Sequence, residues 1–303
     1  MIRVLLLGAT GQVGSALQPL LAPRFEVLAP GRRDLDLSDG EALRSYLHRA
    51  RPTVIVNAAA YTAVDRVEDA PEVAWATNAA APAIMAQCAE ALGAALIHYS
   101  TDYVFDGAKD SPYTEADAPA PLSEYGRTKL AGDEAIMTTP APYLIFRTGW
   151  VYGASGQNFL LTMQRLLRER SEVRVVDDQV GAPTWSRTIA AVTVQILDQA
   201  AESPLEFIRA NSGLYNLAAR GQTSWYGFAS AIREDLVRRQ CGVGRLIPIT
   251  TSEYPTPARR PRFTVLDTSR LRDRFGLALP PWREGLEQAL AEVAGAAEGE
   301  VQA

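Results

Sequence analysis

The sequence predicts an α/β protein that has a doubly wound parallel sheet and a second, smaller α+β domain. Short apolar runs alternate with longer helical patterns through the first half of the chain. This alternation is typical of a parallel sheet that is covered by helices on both faces. The second half is less regular, because amphipathic helices follow one another there with few strands between them. The two patterns therefore indicate one layered domain and one mixed domain.

The predicted elements follow from these patterns in chain order. The run RVLLL at 3–7 predicts a buried strand, and a helix at 15–21 continues out of a glycine-rich turn. The other elements of the first half are strands at 25–28, 54–56, 94–99 and 143–147 and a helix at 40–50. The second half contains helices at 158–170, 184–199 and 225–240 and a further strand of the main sheet at 214–217.

These elements divide the chain into two domains. Residues 1–150 and about 183–219 are assigned to the sheet domain, and about 151–182 and 220–295 to the smaller domain, which we expect to bind the substrate. Residues 296–303 form a tail rich in Ala and Glu, which we expect to fray. A length of 303 residues suits two domains that are joined in this way.

Composition excludes several classes of protein. Hydrophobic residues make up 47% of the chain, which suffices for a large core. The net charge of −5 argues against a nucleic-acid surface, which is normally basic. No apolar run approaches the ~18 residues that span a bilayer, and no signal-peptide pattern follows Met1. Cys88 and Cys241 are isolated and only two histidines are present, so we predict no metal site. We expect a cytoplasmic protein that binds neither nucleic acid nor membrane.

Gly8, Gly11 and Gly14 lie three residues apart between the first strand and the helix after it. In such a turn the first glycine permits the sharp bend, the second lets the backbone approach a pyrophosphate, and the third allows close packing of helix and strand. The phosphates then lie at the positive end of the helix. A purely structural turn is the alternative, but the context here is that of a Rossmann-type dinucleotide site. We therefore predict that Gly8, Gly11, Gln12, Val13 and Gly14 bind the coenzyme.

Two arginines follow the second strand, where the adenosine ribose of a dinucleotide is expected. An acidic residue would bind the 2′-hydroxyl of NAD there, whereas Arg32 and Arg33 favour the 2′-phosphate of NADP. The two arginines could also be an ordinary solvated pair, so NADPH is expected and NADH stays open. Asp36, which precedes Leu37 in the same segment, could accept from the adenine amino group or cap the next helix. Three small residues at the end of the third strand leave room for the coenzyme, namely Ala58, Ala59 and Ala60.

Tyr125 and Lys129 are four residues apart in the run SEYGRTK, so they share one face of a helix. A lysine ammonium within about 4–6 Å would lower the pKa of the tyrosine by about 1–3 units, toward the working pH. Thr101 ends another strand, where ligands gather in open parallel sheets, and its hydroxyl could orient a carbonyl. Each residue alone is weak support, but together with the glycine turn they predict catalysis. The long segment 106–124 is rich in Pro and Gly, and we interpret it as a cover over the site.

The motifs of the chain resemble the extended short-chain dehydrogenase/reductase family, and within it the reductases of keto-sugar nucleotides. The resemblance covers nearly the whole chain. It is carried by GATGQVG at 8–14, VNAAAYTAVD at 56–65, STDYVFDG at 100–107, YGRTKLAG at 125–132, RTGWVYG at 147–153, GQNF at 156–159, DDQVGAPT at 177–184 and RPRFTVLD at 260–267. Together these motifs are far more restrictive than any one of them.

The resemblance implies an enzyme that uses NADPH or NADH to reduce the 4-keto group of a dTDP-sugar, dTDP-6-deoxy-L-lyxo-4-hexulose. Tyr125 would protonate the oxygen, Lys129 would lower the pKa of the tyrosine and bind ribose, and Thr101 would orient the carbonyl. The residues that it assigns to the substrate are Thr101, Asp102, Tyr103, Tyr125, Trp150, Asn158 and Arg260. Trp150 could instead pack in the core, and Asn158 could cap a helix. Some members of the family are dimers, so a homodimer is an open assembly for this chain.

Three other functions fit parts of this pattern. A nucleotide-sugar dehydratase carries T-D-E after the strand, and Tyr103 stands here in place of that glutamate. An epimerase usually has serines at this place and needs tightly held NAD. The regulatory subunit of methionine adenosyltransferase resembles these reductases but acts as a partner protein. The intact set of Thr101, Tyr125 and Lys129 favours an enzyme over a partner protein. An assay of NADPH oxidation with a keto-sugar nucleotide would distinguish these two functions.

Overall fold

A six-stranded sheet forms the centre of the first domain. The computed structural model describes residues 2–301, with side chains through residue 295. The strands are β1 Arg3–Leu7, β2 Glu26–Leu28, β3 Val54–Asn57, β4 Ala95–Thr101, β5 Tyr143–Thr148, β6 Val151–Tyr152, β7 Glu172–Val176, β8 Val180–Gly181, β9 Thr184–Trp185, β10 Gly213–Asn216, β11 Thr223–Ser224 and β12 Arg245–Ile249. The sheet has the order β10-β5-β4-β3-β1-β2, and all its neighbouring strands are parallel. The predicted parallel sheet is confirmed, including the last strand, β10.

Helices cover both faces of this sheet and also form much of the second half of the chain. They are α1 Gln12–Leu21, α2 Gly40–Ala50, α3 Val64–Asp69, α4 Glu72–Trp75, α5 Ala81–Leu92, α6 Glu124–Met137, α7 Phe159–Glu169, α8 Ser186–Gln199, α9 Pro204–Ala210, α10 Trp225–Arg238, α11 Ser269–Phe275 and α12 Trp282–Val301. A π-helical turn at Ala76–Ala80 joins α4 to α5, and 3₁₀ turns lie at Asp102–Val104 and Thr251–Glu253. Within residues 2–301, no helix combines the length and the apolar character that crossing a bilayer requires.

Side chains of β1 show how the two layers form. Val4 and Leu6 face the layer that contains α1 and α8, while Leu5 and Leu7 face the layer that contains α2 and α5. This alternation follows from the two-residue period of a strand. All four side chains are buried, and full burial of each is worth roughly 1.5–3 kcal/mol. Because both faces are covered, the sheet can carry a ligand only at its edges and at the ends of its strands.

The strand order places a crevice between β1 and β3. The chain runs outward from β1 to β2 and then returns to β3 on the other side of β1. In open parallel sheets, ligands bind at such a reversal point, beyond the carboxyl ends of the strands. Gly8 follows β1 and Ala58 follows β3, so both predicted coenzyme segments border this crevice.

The second half packs around its own apolar cluster. Tyr152, Phe228 and Trp282 are buried there together with residues of α7 and α10. The strands β7 and β12 pair in parallel beside them. The predicted helix at 184–199 begins only at Ser186, because Thr184 and Trp185 pair with β6 as strand β9.

The predicted domain boundaries stay a prediction. Two features agree with the return of the chain to the first domain: α8 packs against α1, and β10 pairs with β5. The helix α12 continues to Val301, whereas the side chains after residue 295 and all of residues 302 and 303 lie outside the described part. The expected fraying of 296–303 is therefore untested.

Candidate active site

The glycine turn has the close approaches that its motif predicts. Gly8 lies in the left-handed region at φ +78°, and a Cβ there would stand 2.6 Å from the backbone nitrogen of Ala59. A Cβ on Gly14 would stand 2.1 Å from the carbonyl oxygen of Gly8. Gly11 is the N-cap of α1, and no side chain caps this helix. Backbone N–H groups at the start of α1 are therefore available to an anion such as a pyrophosphate.

A cavity of about 230 Å³ begins at this turn and extends toward the segment after β2. Its walls include Gly8, Gly11, Arg32, Asp36, Leu37, Ala58, Ala59 and Ala60. All of these residues were predicted to bind the coenzyme. Arg33 is exposed and does not line this cavity, so of the two arginines only Arg32 lies at its wall.

Asp36 stabilises its own loop. Its carboxylate accepts hydrogen bonds from the backbone N–H and the hydroxyl of Ser38, at 2.9 Å and 2.8 Å. These bonds hold the pKa of Asp36 below its usual value. The N-cap of α2 is Asp39, which accepts from the N–H groups of Glu41 and Ala42. The suggestion that Asp36 caps the helix is therefore wrong, because the helix begins four residues later, at Gly40.

A second cavity, of about 470 Å³, adjoins the first and contains the predicted catalytic residues. Both cavities are bordered by Gly11 and by Ala58, Ala59 and Ala60. The predicted residues at the wall of the second are Gln12, Val13, Thr101, Asp102, Tyr103, Tyr125, Lys129, Trp150 and Asn158. Residues from β4, α6 and the segments after β5 thus meet the glycine turn in one place.

The start of α6 brings Tyr125 to Thr101. The hydroxyl of Ser123 accepts from the N–H of Gly126 and caps the helix. A Cβ on Gly126 would stand 2.3 Å from the carbonyl oxygen of Tyr103, so the helix lies directly on the segment after β4. The rings of Tyr103 and Tyr125 are edge to face, with 5.9 Å between their centroids.

Burial raises the pKa of Tyr125 above its ordinary value, and the nearby hydroxyl of Thr101 lowers it by less. Lys129 is not among the groups that lower this pKa, so its predicted effect on the tyrosine stays a prediction. The Nζ of Lys129 instead donates to the carbonyl oxygen of Tyr99 at 2.7 Å and lies 3.1 Å from Nε2 of His98. Burial lowers the pKa of Lys129 to about 8. A phenol with a raised pKa keeps its proton at neutral pH, which a proton donor requires.

Burial also raises the pKa values of Asp102 and Tyr103. Burial raises the pKa of Asp102 to about 7, and the hydroxyl of Thr101 donates to its Oδ1 at 3.2 Å. A Cβ on Gly149 would stand 2.3 Å from Oδ2 of Asp102, so the chain after β5 closes tightly over this carboxyl. Burial raises the pKa of Tyr103 to about 12.

Arg260 does not line the cavity around Tyr125. Its Nη2 donates to Oδ2 of Asp65 at 2.8 Å, and its charge lies close enough to the phenol of Tyr103 to lower the pKa of that phenol. It lines two neighbouring cavities instead. The predicted contact with the substrate therefore requires a ligand that reaches beyond Tyr103. Sequence reasoning did not identify Asp65, which pairs with Arg260 across nearly two hundred residues.

The predicted cover, residues 106–124, lies beside one of these neighbouring cavities. Asp106 and Lys109 line it together with Arg260 and Arg262. Among the described residues, none of 106–124 lines the cavity around Tyr125. The segment is fixed to the second half of the chain, since the N–H of Tyr113 donates to the carbonyl of Val265 at 2.8 Å. Its role as a cover stays a prediction.

Trp150 and Asn158 form the wall opposite the sheet. Trp150 adopts a positive φ of 51°, and its indole stacks face to face on Trp225 at 3.5 Å between centroids. Asn158 caps α7 by accepting from the N–H of Leu161, and its amide also reaches Oε1 of Gln12 at 3.4 Å. The suggested helix cap is therefore confirmed, and the contact of Asn158 with the substrate stays a prediction. Trp225 was not identified from the sequence, because nothing near it in the chain indicates a site.

The chain is similar to known proteins over nearly all of its length. The family model described as the RmlD substrate binding domain matches residues 2–294. A dTDP-4-dehydrorhamnose reductase of Burkholderia thailandensis is 45% identical over 93% of this chain and 96% of that protein. The crystal structure of a dTDP-4-dehydrorhamnose reductase from Clostridium acetobutylicum is 35% identical, with a TM-score of 0.88 over 97% of this chain and 100% of that one. The corresponding structure from Bacillus anthracis, in complex with NADP, is 33% identical, with a TM-score of 0.87 over 96% and 100%.

Proposed function

The chain belongs to the family described as the RmlD substrate binding domain, and we propose that it reduces dTDP-4-dehydro-L-rhamnose to dTDP-L-rhamnose with NADPH. NADH is a second coenzyme that the site could accept. The observation that carries the proposal is the junction of two cavities. One contains the glycine turn, and the other brings Thr101, Tyr125 and Lys129 to the end of that turn.

The residues of the site fit a nicotinamide dinucleotide. Gly8 and Gly14 allow the turn to pack closely against the backbone around it, and the uncapped start of α1 offers N–H groups to the pyrophosphate. Arg32 lies where a 2′-phosphate would be, which supports NADPH. When bound, this coenzyme supplies the hydride for the carbonyl carbon.

The chain itself supplies the proton. The Thr101 hydroxyl binds the carbonyl oxygen of the sugar and holds it near the phenol of Tyr125. The O–H bond of Tyr125 breaks, its proton goes to the sugar oxygen, and the phenolate that remains later takes a proton from solvent. Lys129, when it carries a proton, stabilises this phenolate by its charge. Trp150 and Trp225 form an aromatic wall for the sugar.

Other functions of this fold are less well supported. A dehydratase needs a carboxylate beside Thr101 and Asp102, and Tyr103 stands at that position with an elevated pKa. A partner protein without turnover needs no proton donor, yet the phenol of Tyr125 lies in the cavity next to the Thr101 hydroxyl. Both observations favour reduction.

A coupled comparison of substrates tests the proposal. Purified protein would be mixed with thymidine- or uridine-linked 4-keto-6-deoxy sugar and with NADPH or NADH, and the loss of coenzyme absorbance would be followed. We expect the fastest loss with the thymidine sugar and NADPH. Protein that binds NADPH but consumes none with either sugar would contradict the proposal and favour a partner role.

Two finer proposals concern the cell and the assembly. We propose that the protein works in the cytoplasm, where its coenzyme and nucleotide sugar are available, and that it forms a homodimer. Fractionation of cells and light scattering of the purified protein test these two statements. A particle mass that matches one chain at all concentrations would contradict the homodimer.

A further inference from the structure

A buried cluster of polar side chains lies behind Lys129. His98, Lys129, Asp133 and Arg147 are each at most 2% exposed. The hydroxyl of Ser100 donates to Oδ2 of Asp133 at 2.6 Å, and Nε of Arg147 lies 3.7 Å from the same oxygen. The reaction described above uses only Lys129 from this cluster, so the role of His98 is open.

The hydrogen bonds of Asn57 determine which nitrogen of His98 carries the proton. The backbone N–H of Ala59 can only donate, and it lies 3.2 Å from the side-chain oxygen of Asn57. The amide nitrogen of Asn57 therefore faces Nδ1 of His98, at 2.9 Å. Because an amide NH₂ is a donor only, Nδ1 must accept. Burial lowers the pKa of His98 well below its ordinary value, so the ring is neutral and its proton is on Nε2.

The Nε2–H group of His98 points at the nitrogen of Lys129. The two nitrogens are 3.1 Å apart, and Oδ1 of Asp133, which has no hydrogen-bond partner among the described residues, is 3.8 Å from Nε2. An ammonium has donors and no acceptor, so it would face this N–H with like polarity. A neutral amine has a lone pair that accepts from the ring, while one of its own N–H groups donates to the carbonyl of Tyr99.

We propose that His98 is a positioning residue for Lys129, which donates from Nε2–H to the lysine nitrogen and favours the uncharged amine over the ammonium. Two other charged groups act on the same lysine. Asp133, one turn further along α6, attracts the ammonium, and Arg147 on β5 reduces that attraction because it pairs with Asp133. Tyr125 lies one turn earlier on α6. The balance between these groups and His98 places the loss of the lysine proton within the working range of the enzyme.

The consequence for catalysis rests on the proposed function. Turnover in the reducing direction leaves a phenolate on Tyr125, which a charged Lys129 stabilises. Since burial lowers the pKa of Lys129 to about 8 and raises that of Tyr125, the lysine should lose its proton first as pH rises. We therefore expect kcat to fall on the alkaline side from near pH 8, and His98 to be one cause.

The tautomer can be measured without any activity. The chain contains two histidines, and His48 is exposed on α2, so His48→Gln leaves His98 as the single imidazole. Long-range ¹H–¹⁵N spectra of this variant should show a protonated Nε2 and an unprotonated Nδ1, with no titration near pH ~6.5. A proton on Nδ1, or titration near that pH, would overturn the proposal whether or not the protein is a reductase. Adding Asn57→Asp supplies an acceptor to Nδ1 and should reverse the tautomer.

The pH profile of kcat tests the effect on Lys129. In His98→Gln the side-chain oxygen can accept from the ammonium, so the alkaline limb should move to higher pH by about one unit. His48→Gln should leave the limb unchanged, since that side chain is remote from the cavity. An unmoved limb in His98→Gln, in protein that unfolds at the wild-type temperature, would show that His98 does not influence Lys129.

Discussion

The coenzyme side and the substrate side of the site are built from different parts of the chain. The cavity on the coenzyme side is lined only by residues between Leu7 and Thr77, mainly at the ends of β1, β2 and β3. The cavity on the substrate side is lined by residues from Gly11 to Trp225, which come from both halves of the chain. The first is a local structure at one edge of a sheet, and the second exists only when distant segments are packed together.

This difference determines what kind of change each side tolerates. On the coenzyme side the important features are backbone positions, such as the positive φ of Gly8 and the contact between Gly14 and Gly8. On the substrate side and in the cavities next to it they are side chains that depend on partners, such as Trp150 on Trp225 and Arg260 on Asp65. We therefore expect glycine substitutions to weaken coenzyme binding, and side-chain substitutions to change turnover or KM for the sugar.

The largest expected effect is that of Tyr125→Phe. This variant removes the proton donor and keeps the ring, so kcat should fall by roughly 10²–10⁴-fold, the range for a lost general acid. NADPH affinity, measured by fluorescence titration, should stay the same. Tyr46→Phe makes the same change on α2, remote from both cavities, and should be silent. Full turnover in Tyr125→Phe would remove this residue from the mechanism.

Gly8→Ala should weaken the binding of the coenzyme without a direct effect on the substrate side. The left-handed backbone costs roughly 1–2 kcal/mol for a residue with a Cβ, and the clash with Ala59 adds about 1–3 kcal/mol. We expect NADPH to bind about tenfold or more weakly, since ~1.4 kcal/mol is tenfold. Gly93→Ala is the matched control, because Gly93 also has a positive φ but its Cβ would meet no atom within 4 Å. It should lose stability in urea without losing NADPH affinity, and equal effects in the two variants would contradict a specific clash.

Trp225→Leu should weaken the binding of the sugar nucleotide without affecting the coenzyme. The substitution keeps an apolar side chain but removes the stacking partner of Trp150, and an aromatic pair contributes about 0.5–1.5 kcal/mol beyond its buried area. Steady-state kinetics should show KM for the sugar nucleotide raised by about three- to tenfold, with NADPH affinity unchanged. Trp75→Leu, which changes a tryptophan that is 41% exposed on α4, should alter neither. A loss of NADPH affinity in Trp225→Leu would contradict the assignment of Trp225 to the substrate side alone.

Asp65→Asn should have the smallest effect on kinetics. It removes the ion pair that joins the segment after β3 to Arg260. Asp65 follows β3 and holds Arg260 at 2.8 Å, but their side chains are 39% and 22% exposed. Water screens such a pair, so its loss should cost under about 1 kcal/mol. We expect KM for the sugar to rise about two- to fivefold, less at high salt, with kcat unchanged. Glu169→Gln, which breaks an exposed pair with Arg165, serves as the control. A tenfold or larger fall in kcat would assign Asp65 a role in the reaction itself.

The parts of the site that were predictable are those with short-range signals. The spacing of Gly8, Gly11 and Gly14 between a strand and a helix predicts the turn, and the spacing of Tyr125 and Lys129 predicts a shared helix face. Arg33 shows the limit of this reasoning, since composition near a strand end does not say which of two arginines faces the cavity. The pKa of Tyr125 shows a related limit, because burial raises it and no pattern in the chain indicates how deeply the phenol is buried. Spacing brings Lys129 near the tyrosine, but His98 and the carbonyl of Tyr99 decide where its nitrogen points.

The amino-acid sequence by itself determined the parallel sheet, the phosphate-binding turn and the helix that carries Tyr125, because periodicity and backbone sterics act between residues that are close in the chain. Only the tertiary structure decided that Trp225 supports Trp150, that Asp65 holds Arg260, and that His98 lies behind Lys129. Each of these pairs joins segments that come together only when the helices and the sheet pack against each other. Burial then determines the protonation state of the groups that meet. Local sequence patterns predict neither the distances between remote segments nor the burial of the groups that meet there.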